Sequence, residues 1–355
     1  MVQQQDYFKG RGAQYNVHNP YLVTRYVQEY FEALDEPMLE NSRTEYLMEH
    51  PRKIINQVPS PDIPLDYSAN PYQGCEHGCT YCYARTTHQY WGMSAGLDFE
   101  RKIVVKENAA ELLRDELGKK NWECKPIMLS GNTDCYQPAE RKFGITRKML
   151  QVMAEFKQPV GIITKNSLVL RDLDILTEMA KDNLVRVNMS ITTLDEDLRR
   201  AMEPRTATSM QRLDAIERLT RAGIPVNVMI APIIPGLTSD ELVPIMKAAA
   251  AAGAVSAGYT MVRLNGTIGE IFTDWIRKNL PDRAEKVLNQ VAEAHGGSLG
   301  DSRFGTRLKG EGNMAESIRR LFRIAHEKYM PAVVVPPMTT TLFKRPRTDG
   351  QLSLF

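Results

Sequence analysis

Cys75-Glu76-His77-Gly78-Cys79-Thr80-Tyr81-Cys82 places three of the chain's five cysteines on one short loop, spaced C-x3-C-x2-C. Three thiolates so placed suit three irons of a cubane [4Fe–4S] cluster, which ordinarily takes four cysteines. With no fourth cysteine nearby, one iron is left open to a small molecule, and an electron carrier becomes a catalyst. Two other readings use the same residues. A structural zinc site wants four ligands, and His77 or His88 could complete it. A closed cluster that only carries electrons needs Cys124 or Cys135 as its fourth ligand.

Outward from this loop the chain alternates short apolar runs with amphipathic ones. Residues 66–71 lead into the cysteines, and residues 82–90 read as a helix after them. Strands are expected at 102–106, 126–130, 160–164, 185–191, 225–230 and 257–264. Helices are expected at 107–119, 146–156, 173–181, 196–202, 210–222 and 239–252. Apolar strands alternating with helices imply a parallel sheet covered by helices. About six β/α units of this kind give an α/β fold, a partial (β/α)6 TIM-like barrel, with its chemistry at the C-terminal strand ends.

Residues 1–65 read as a polar, irregular N-terminal extension. Tyr21–Leu34 suits a helix, and Pro59, Pro61 and Pro64 bar a long one. Residues 66–265 form the barrel, 266–335 a helical region and 336–355 a flexible tail. A hydrophobic fraction of 43%, a charged fraction of 25% and a net charge of +2 describe a soluble globular chain with no global basic field. No apolar run reaches the roughly 18–20 residues of a membrane span, and the N-terminus lacks a leader's apolar stretch. A cytoplasmic location follows, where clustered cysteines bind metal more often than they pair.

Polar residues gather after the expected strands. Ser130 and Thr133 follow the second core strand, Lys165 the third, Ser190 lies on the fourth, and Ile234 is in the apolar turn after the fifth. Turn and cap chemistry explains any one of them alone.

The C-x3-C-x2-C spacing, with aromatic Tyr81 before the last cysteine and a strand before the loop, resembles the signature of the radical S-adenosylmethionine (SAM) superfamily. The resemblance implies that Cys75, Cys79 and Cys82 bind a [4Fe–4S] cluster, whose open iron chelates SAM and whose electron cleaves it to a hydrogen-abstracting 5′-deoxyadenosyl radical. It implies SAM contacts from Ser130, Thr133, Lys165, Ser190 and Ile234, and an electron donor such as flavodoxin or ferredoxin. Asn70–Cys75, Cys82-Tyr83-Ala84-Arg85, Thr133–Pro138 and Ile163–Asn166 are similar to the spore photoproduct lyase-like branch, whose namesake repairs a thymine dimer in DNA. Where that enzyme keeps a hydrogen-returning cysteine, this chain has Ser130 and Gly131. Cys135, or Tyr136 beside it, is the nearest donor.

Basic residues recur near the C-terminus, among them Arg303, Arg307, Lys309 and Arg319. Such residues suit phosphate contacts or a solvated surface. Gln351-Leu352-Ser353-Leu354-Phe355 resembles the peptide that binds the bacterial sliding clamp, with Gln351 at a groove rim and Leu352, Leu354 and Phe355 in apolar pockets. The expectation is a radical SAM enzyme acting on DNA and tethered to the clamp. The alternatives are a radical SAM enzyme with a tRNA or protein substrate, and a non-enzymatic iron–sulfur or zinc protein.

Overall fold

The computed structural model describes residues 8–22, 43–330, 332 and 335–346. Ten strands occur among them: β1 Glu45–Glu49, β2 Ile55–Gln57, β3 Tyr67–Ala69, β4 Tyr72–Gln73, β5 Lys102–Lys106, β6 Ile127–Leu129, β7 Val160–Thr164, β8 Val185–Ser190, β9 Val226–Ile233 and β10 Ser256–Met261. Seven form one sheet in the order β10-β9-β8-β7-β6-β3-β2. β3 and β6 to β10 are parallel, and β2 adds antiparallel to β3. Five of the six strands expected above lie in this parallel array, and β3, the strand before the cysteine loop, takes the sixth place.

The period-two pattern of the strands decides which face is covered. Val160 and Ile162, Val185 and Val187, and Val226 and Val228 point one way. They bury against helices Ile145–Phe156, Leu173–Lys181, Ser209–Arg221 and Leu242–Ala251. The other, concave face carries Asn188, Asn227 and Ser256, joined side chain to side chain across three strands at 3.0 and 2.7 Å. Gly161 belongs to this face because the Met128 side chain fills the place its Cβ would take. The barrel is therefore apolar outside, under the helices, and polar within.

Two expectations change. The run at 102–106 is a strand, but it leaves the main sheet: β5 pairs parallel with β1 and antiparallel with β4 in a three-stranded sheet. Its partner lies in the segment expected to be irregular. Glu45-Tyr46-Leu47-Met48-Glu49 is a strand despite its polar ends, because β5 offers it a ladder. Most of Tyr21–Leu34, where a helix was expected, lies outside the described residues.

The C-terminal region is helical as expected, with helices Thr267–Asn279, Pro281–Glu293 and Gly312–Tyr329. The first part of the expected flexible tail is docked. Pro336 accepts a hydrogen bond from Arg186, and Pro337 accepts one from Asn183 at 2.7 Å. Farther along, Lys344 N–H donates to the Phe156 carbonyl at 2.9 Å, the Phe343 ring lies against Phe156, and Arg345 reaches the Lys119 carbonyl. Asn183, Phe156 and Lys119 precede β8, β7 and β6, and Arg186 is the second residue of β8, so residues 336–345 cross beneath the N-terminal strand ends as a strap. Residues 351–355 lie outside the described residues.

Candidate functional site

The cysteine loop leaves β4 and crosses the C-terminal ends of the strands. Local geometry shapes it: Gly74 and Gly78 sit at φ +78° and +68°, where a side chain is strained. Residues 8–19 lie over it. A Cβ on Gly12 would stand 1.8 Å from the Gly78 carbonyl, so only glycine fits there. Fully buried Arg85 fastens the loop from behind. Its guanidinium donates to the Cys79 carbonyl at 2.9 Å and the Gly78 carbonyl at 3.2 Å, and pairs with Glu100 at 2.5 Å. Glu100 in turn accepts from the Gly12 and Ala13 N–H groups. Gln137 closes the other side: it accepts from Glu76 N–H at 2.9 Å and donates to the Gly74 carbonyl at 3.0 Å.

The three thiols lie close enough to feel one another. Burial pushes Cys75 well up, and Asp134, Cys82 and Cys79 add to it. Burial also raises Cys79 and Cys82. Left alone, such thiols stay protonated, and a bound cation inverts that preference by deprotonating its ligands. Among the described residues, no three His, Cys, Asp or Glu side chains converge on a single ion. Thiolates sharing one tetrahedral zinc come within about 4 Å of each other, given Zn–S bonds near 2.3 Å. Those on separate corners of a cubane stand farther apart, so the donor set fits a cluster better than one metal ion.

Facing the loop is a buried polar network. Glu203 accepts from the Tyr81 hydroxyl and, at 2.7 Å, from Thr192. It pairs with Arg212 at 2.6 Å, and all three of the side chains Tyr81, Glu203 and Arg212 are buried. Lys165 Nζ stands 4.0 Å from Glu203 and 5.7 Å from the Tyr81 ring centre. Burial alone would raise the Glu203 carboxyl, but Arg212, Lys165 and the two hydroxyl donors outweigh it and hold it at about 2. Two helix starts set this up. Asp195 caps helix Glu196–Met202, which delivers Glu203 at its end. Thr208 and Gln211 form a reciprocal capping box, which fixes Arg212 in the first turn of helix Ser209–Arg221.

Asp134 ties the next strand in. It accepts from Thr164 Oγ1 at 2.9 Å, Lys165 N–H at 2.8 Å and Tyr136 N–H at 2.8 Å, and it lies 3.4 Å from His77 Nδ1. Burial lowers His77, against the pull of Asp134.

The expected SAM contacts are gathered here, though differently employed. Lys165 and Ser190 stand at the ends of β7 and β8, and Ile234 packs in the same apolar cluster as Cys79 and Tyr81. The Thr133 hydroxyl donates to the Tyr72 carbonyl, and Ser130 Oγ accepts from Cys135 N–H, so both hydroxyls hold the loop. Cys135 and Tyr136 do not reach the mouth. Both are fully buried in the main core, where the Tyr136 hydroxyl donates to Asp172 at 3.0 Å. Tyr83 was quoted only as part of a motif, yet it is 50% exposed and lies beside Cys82. Burial by the surrounding walls pushes its hydroxyl up to about 12, with Cys82 adding to the rise and Arg263 opposing it. Arg85 too was quoted only within that motif, and Glu203, Arg212 and Glu100 were missed entirely, since a lone charged residue on a helix reads as solvated surface.

A model of the radical SAM superfamily matches residues 69–249, spanning the cysteine loop and the parallel strands from β3 through β9. The chain belongs to the radical SAM superfamily. Radical SAM enzymes use a [4Fe–4S] cluster and SAM, and the buried thiols, polar strand ends and apolar turn at Ile234 fit both. When bound, these groups supply an organic radical that takes hydrogen from unactivated carbon; the chain supplies position and exclusion of water. An uncharacterised protein of Mycobacterium tuberculosis is 35% identical over 234 residues, 65% of this chain and 69% of that one. A radical SAM Nα-GlyT isomerase of Pseudomonas phage M6 is 25% identical over 244 residues, 63% of this chain and 49% of its own. Spore photoproduct lyase complexed with dinucleoside spore photoproduct shares the fold, with a TM-score of 0.60 and 16% identity over 81% of this chain and 80% of that one. Among the described residues, no helix is long and apolar enough to cross a membrane.

His88, six residues after Cys82, gives a test of how this radical SAM loop is held. It is fully buried and packs on Phe99, and neither ring nitrogen has a hydrogen-bond partner among the described residues. Burial lowers it to about 4. The unfolded chain binds a proton near pH 6.5 that the folded chain refuses until about pH 4. Its contribution is therefore complete above 6.5 and is lost as pH falls towards 4, on the order of 3 kcal/mol in all. Urea midpoints of the apoprotein are expected to fall between pH 7 and pH 4.5, and His88→Met should flatten that part of the slope.

Proposed function

We propose that this radical SAM enzyme acts on DNA, at a damaged or modified base, in chemistry akin to that of spore photoproduct lyase. The fold shared with that enzyme, over four-fifths of both chains, carries the reading. The surroundings of the cysteine loop support it. Tyr83, Tyr90 and Trp91 are exposed on the turn that follows Cys82, and Tyr21 stacks on Tyr90 with ring centres 4.9 Å apart. Exposed aromatic faces beside a reactive site suit a base removed from its stack.

In this reading Cys75, Cys79 and Cys82 hold the cluster. Lys165, Ser190 and Ile234 orient SAM from the strand ends, while Ser130 and Thr133 set the loop between them. Burial of Cys135 and Tyr136 favours Tyr83 as the group that exchanges a hydrogen atom at the mouth. Gln351, Leu352, Leu354 and Phe355 tether the enzyme to the sliding clamp, and a flavodoxin- or ferredoxin-like donor reduces the cluster.

Anaerobic reconstitution tests this directly. The reconstituted protein, with reductant and SAM, is expected to form 5′-deoxyadenosine faster when given ultraviolet-damaged oligonucleotides than when given intact ones, and to change their mass. Equal turnover with damaged DNA, intact DNA and no DNA, together with a response to tRNA, would move the substrate to RNA. Titration of the clamp with a peptide of residues 340–355 tests the tether on its own.

A further inference from the structure

Arg263 follows the C-terminal end of β10 and lies near enough to Tyr83 for the two groups to influence each other. It is half-buried, and among the described residues it has neither a hydrogen bond nor an ion pair. A cation in that position normally finds a carboxylate, because partial burial removes water without replacing it. The two nearest acids are already taken. Asp301 accepts from the Arg303 guanidinium at 3.0 and 3.1 Å and from Thr306 at 3.1 Å. Asp62 accepts from Arg307 at 2.6 Å and from Gly305 N–H at 2.8 Å. A second cation, Lys309, makes no ion pair either; its Nζ donates to the Tyr259 carbonyl at 2.9 Å and sits 3.7 Å from that ring's centre. Arg307 stands close enough to repel Arg263. Arg303 and Arg307 thus spend these acids, which leaves the Arg263 charge without a counter-ion among the described residues.

Arg263 therefore stands beside Tyr83, the half-exposed aromatic next to Cys82. A guanidinium binds a phosphate through two parallel N–H donors, a geometry that a single ammonium lacks. We propose that Arg263 seats a backbone phosphate of the substrate strand, next to the nucleotide that enters the mouth. This deepens the DNA reading and rests on it. The site takes one anionic group, and that group has two conceivable sources: the strand phosphate or the SAM carboxylate. Lys165, beneath Glu203 and Tyr81, is already placed for the latter.

The test uses the reconstituted, full-length protein and a short fluorescein-labelled single strand of thymidine nucleotides, read by anisotropy. Arg263→Gln is expected to weaken binding about tenfold or more at low salt. It should also reduce the slope of log affinity against log salt by about 0.7, the share of one single-strand phosphate. Arg263→Lys should restore the slope and only part of the affinity, since it keeps the charge and loses the fork. A methylphosphonate strand, whose backbone is uncharged, should bind wild type and Arg263→Gln alike. Iron content and the thermal midpoint of each variant exclude a folding effect. Unchanged oligonucleotide binding with weakened SAM binding assigns Arg263 to the SAM carboxylate and overturns the proposal. If neither ligand responds, the proposal is also overturned, while the DNA reading stands. Wild-type protein that binds no oligonucleotide overturns both.

Discussion

Cys79→Ala is expected to yield a folded protein that holds no intact cluster and forms no 5′-deoxyadenosine. Two thiolates cannot hold three corners of a cubane, so iron should fall from about four per chain to well below one. Cys75→Ala and Cys82→Ala should behave alike. The fold should survive, because the loop is held through its backbone. Arg85 donates to the carbonyl of Cys79, which alanine keeps. The Gln137 contacts to Glu76 and Gly74 are untouched. Alanine removes a single sulfur from a buried position, a loss of about 1 kcal/mol in the apoprotein. Cys124→Ala and Cys135→Ala serve as controls, since Cys135 is sealed in the main core. Full iron content in Cys79→Ala, or its loss in Cys135→Ala, would refute this assignment of ligands.

The second large effect is expected on stability. Arg212→Leu leaves the Glu203 carboxylate buried without its close ion-pair partner, with only Lys165 at 4.0 Å to oppose its charge, as Arg212 and Glu203 are fully enclosed. Breaking a buried pair from one side costs about 3–5 kcal/mol. In a chain of this size that corresponds to a thermal midpoint lower by roughly 4–7 °C. The carboxyl, now held at about 2, should then titrate far higher, so the variant should lose less stability on acidification than the parent does. Pairing Arg212→Leu with Glu203→Leu should recover much of the loss, because an apolar pair of similar volume leaves no charge stranded. The arrangement at the mouth adds a second readout. Glu203 joins Tyr81 of the cysteine loop to Lys165 and Thr192 at two strand ends. The doubly substituted protein should therefore regain its midpoint yet bind SAM more weakly than the parent. A variant that recovers both would make the network a matter of stability alone.

What could be read in the sequence, and what could not, divides along the range of the forces involved. The six parallel strands were legible because apolar runs and their helices are local patterns, and β7 and β8 fall within a residue of where they were expected. The cysteine loop was legible because its ligands are neighbours in the chain. β1 was hidden, since Glu45–Glu49 becomes a strand only when β5 supplies a partner more than fifty residues away. Glu203 and Arg212 were hidden for the same reason. Their signal is a mutual pairing inside the protein, and nothing in Met202-Glu203-Pro204 distinguishes a buried glutamate from a surface one. Ser130, Thr133, Cys135 and Tyr136 differ again. Their loop follows a strand, as expected, but proximity in sequence could not say which side chains turn inwards to hold it.

The strap beneath the barrel sets a leash length. Its last fastening among the described residues, Arg345 on the Lys119 and Lys120 carbonyls, lies under the floor, on the far side of the sheet from the cysteine loop. Ten further residues run from there to Phe355, a reach of at most about 35 Å when fully extended. A protein gripping the final pentapeptide would therefore hang behind the enzyme, within one domain's width of its underside. The mouth would face outwards from such an anchor, free to sweep whatever the anchor travels along.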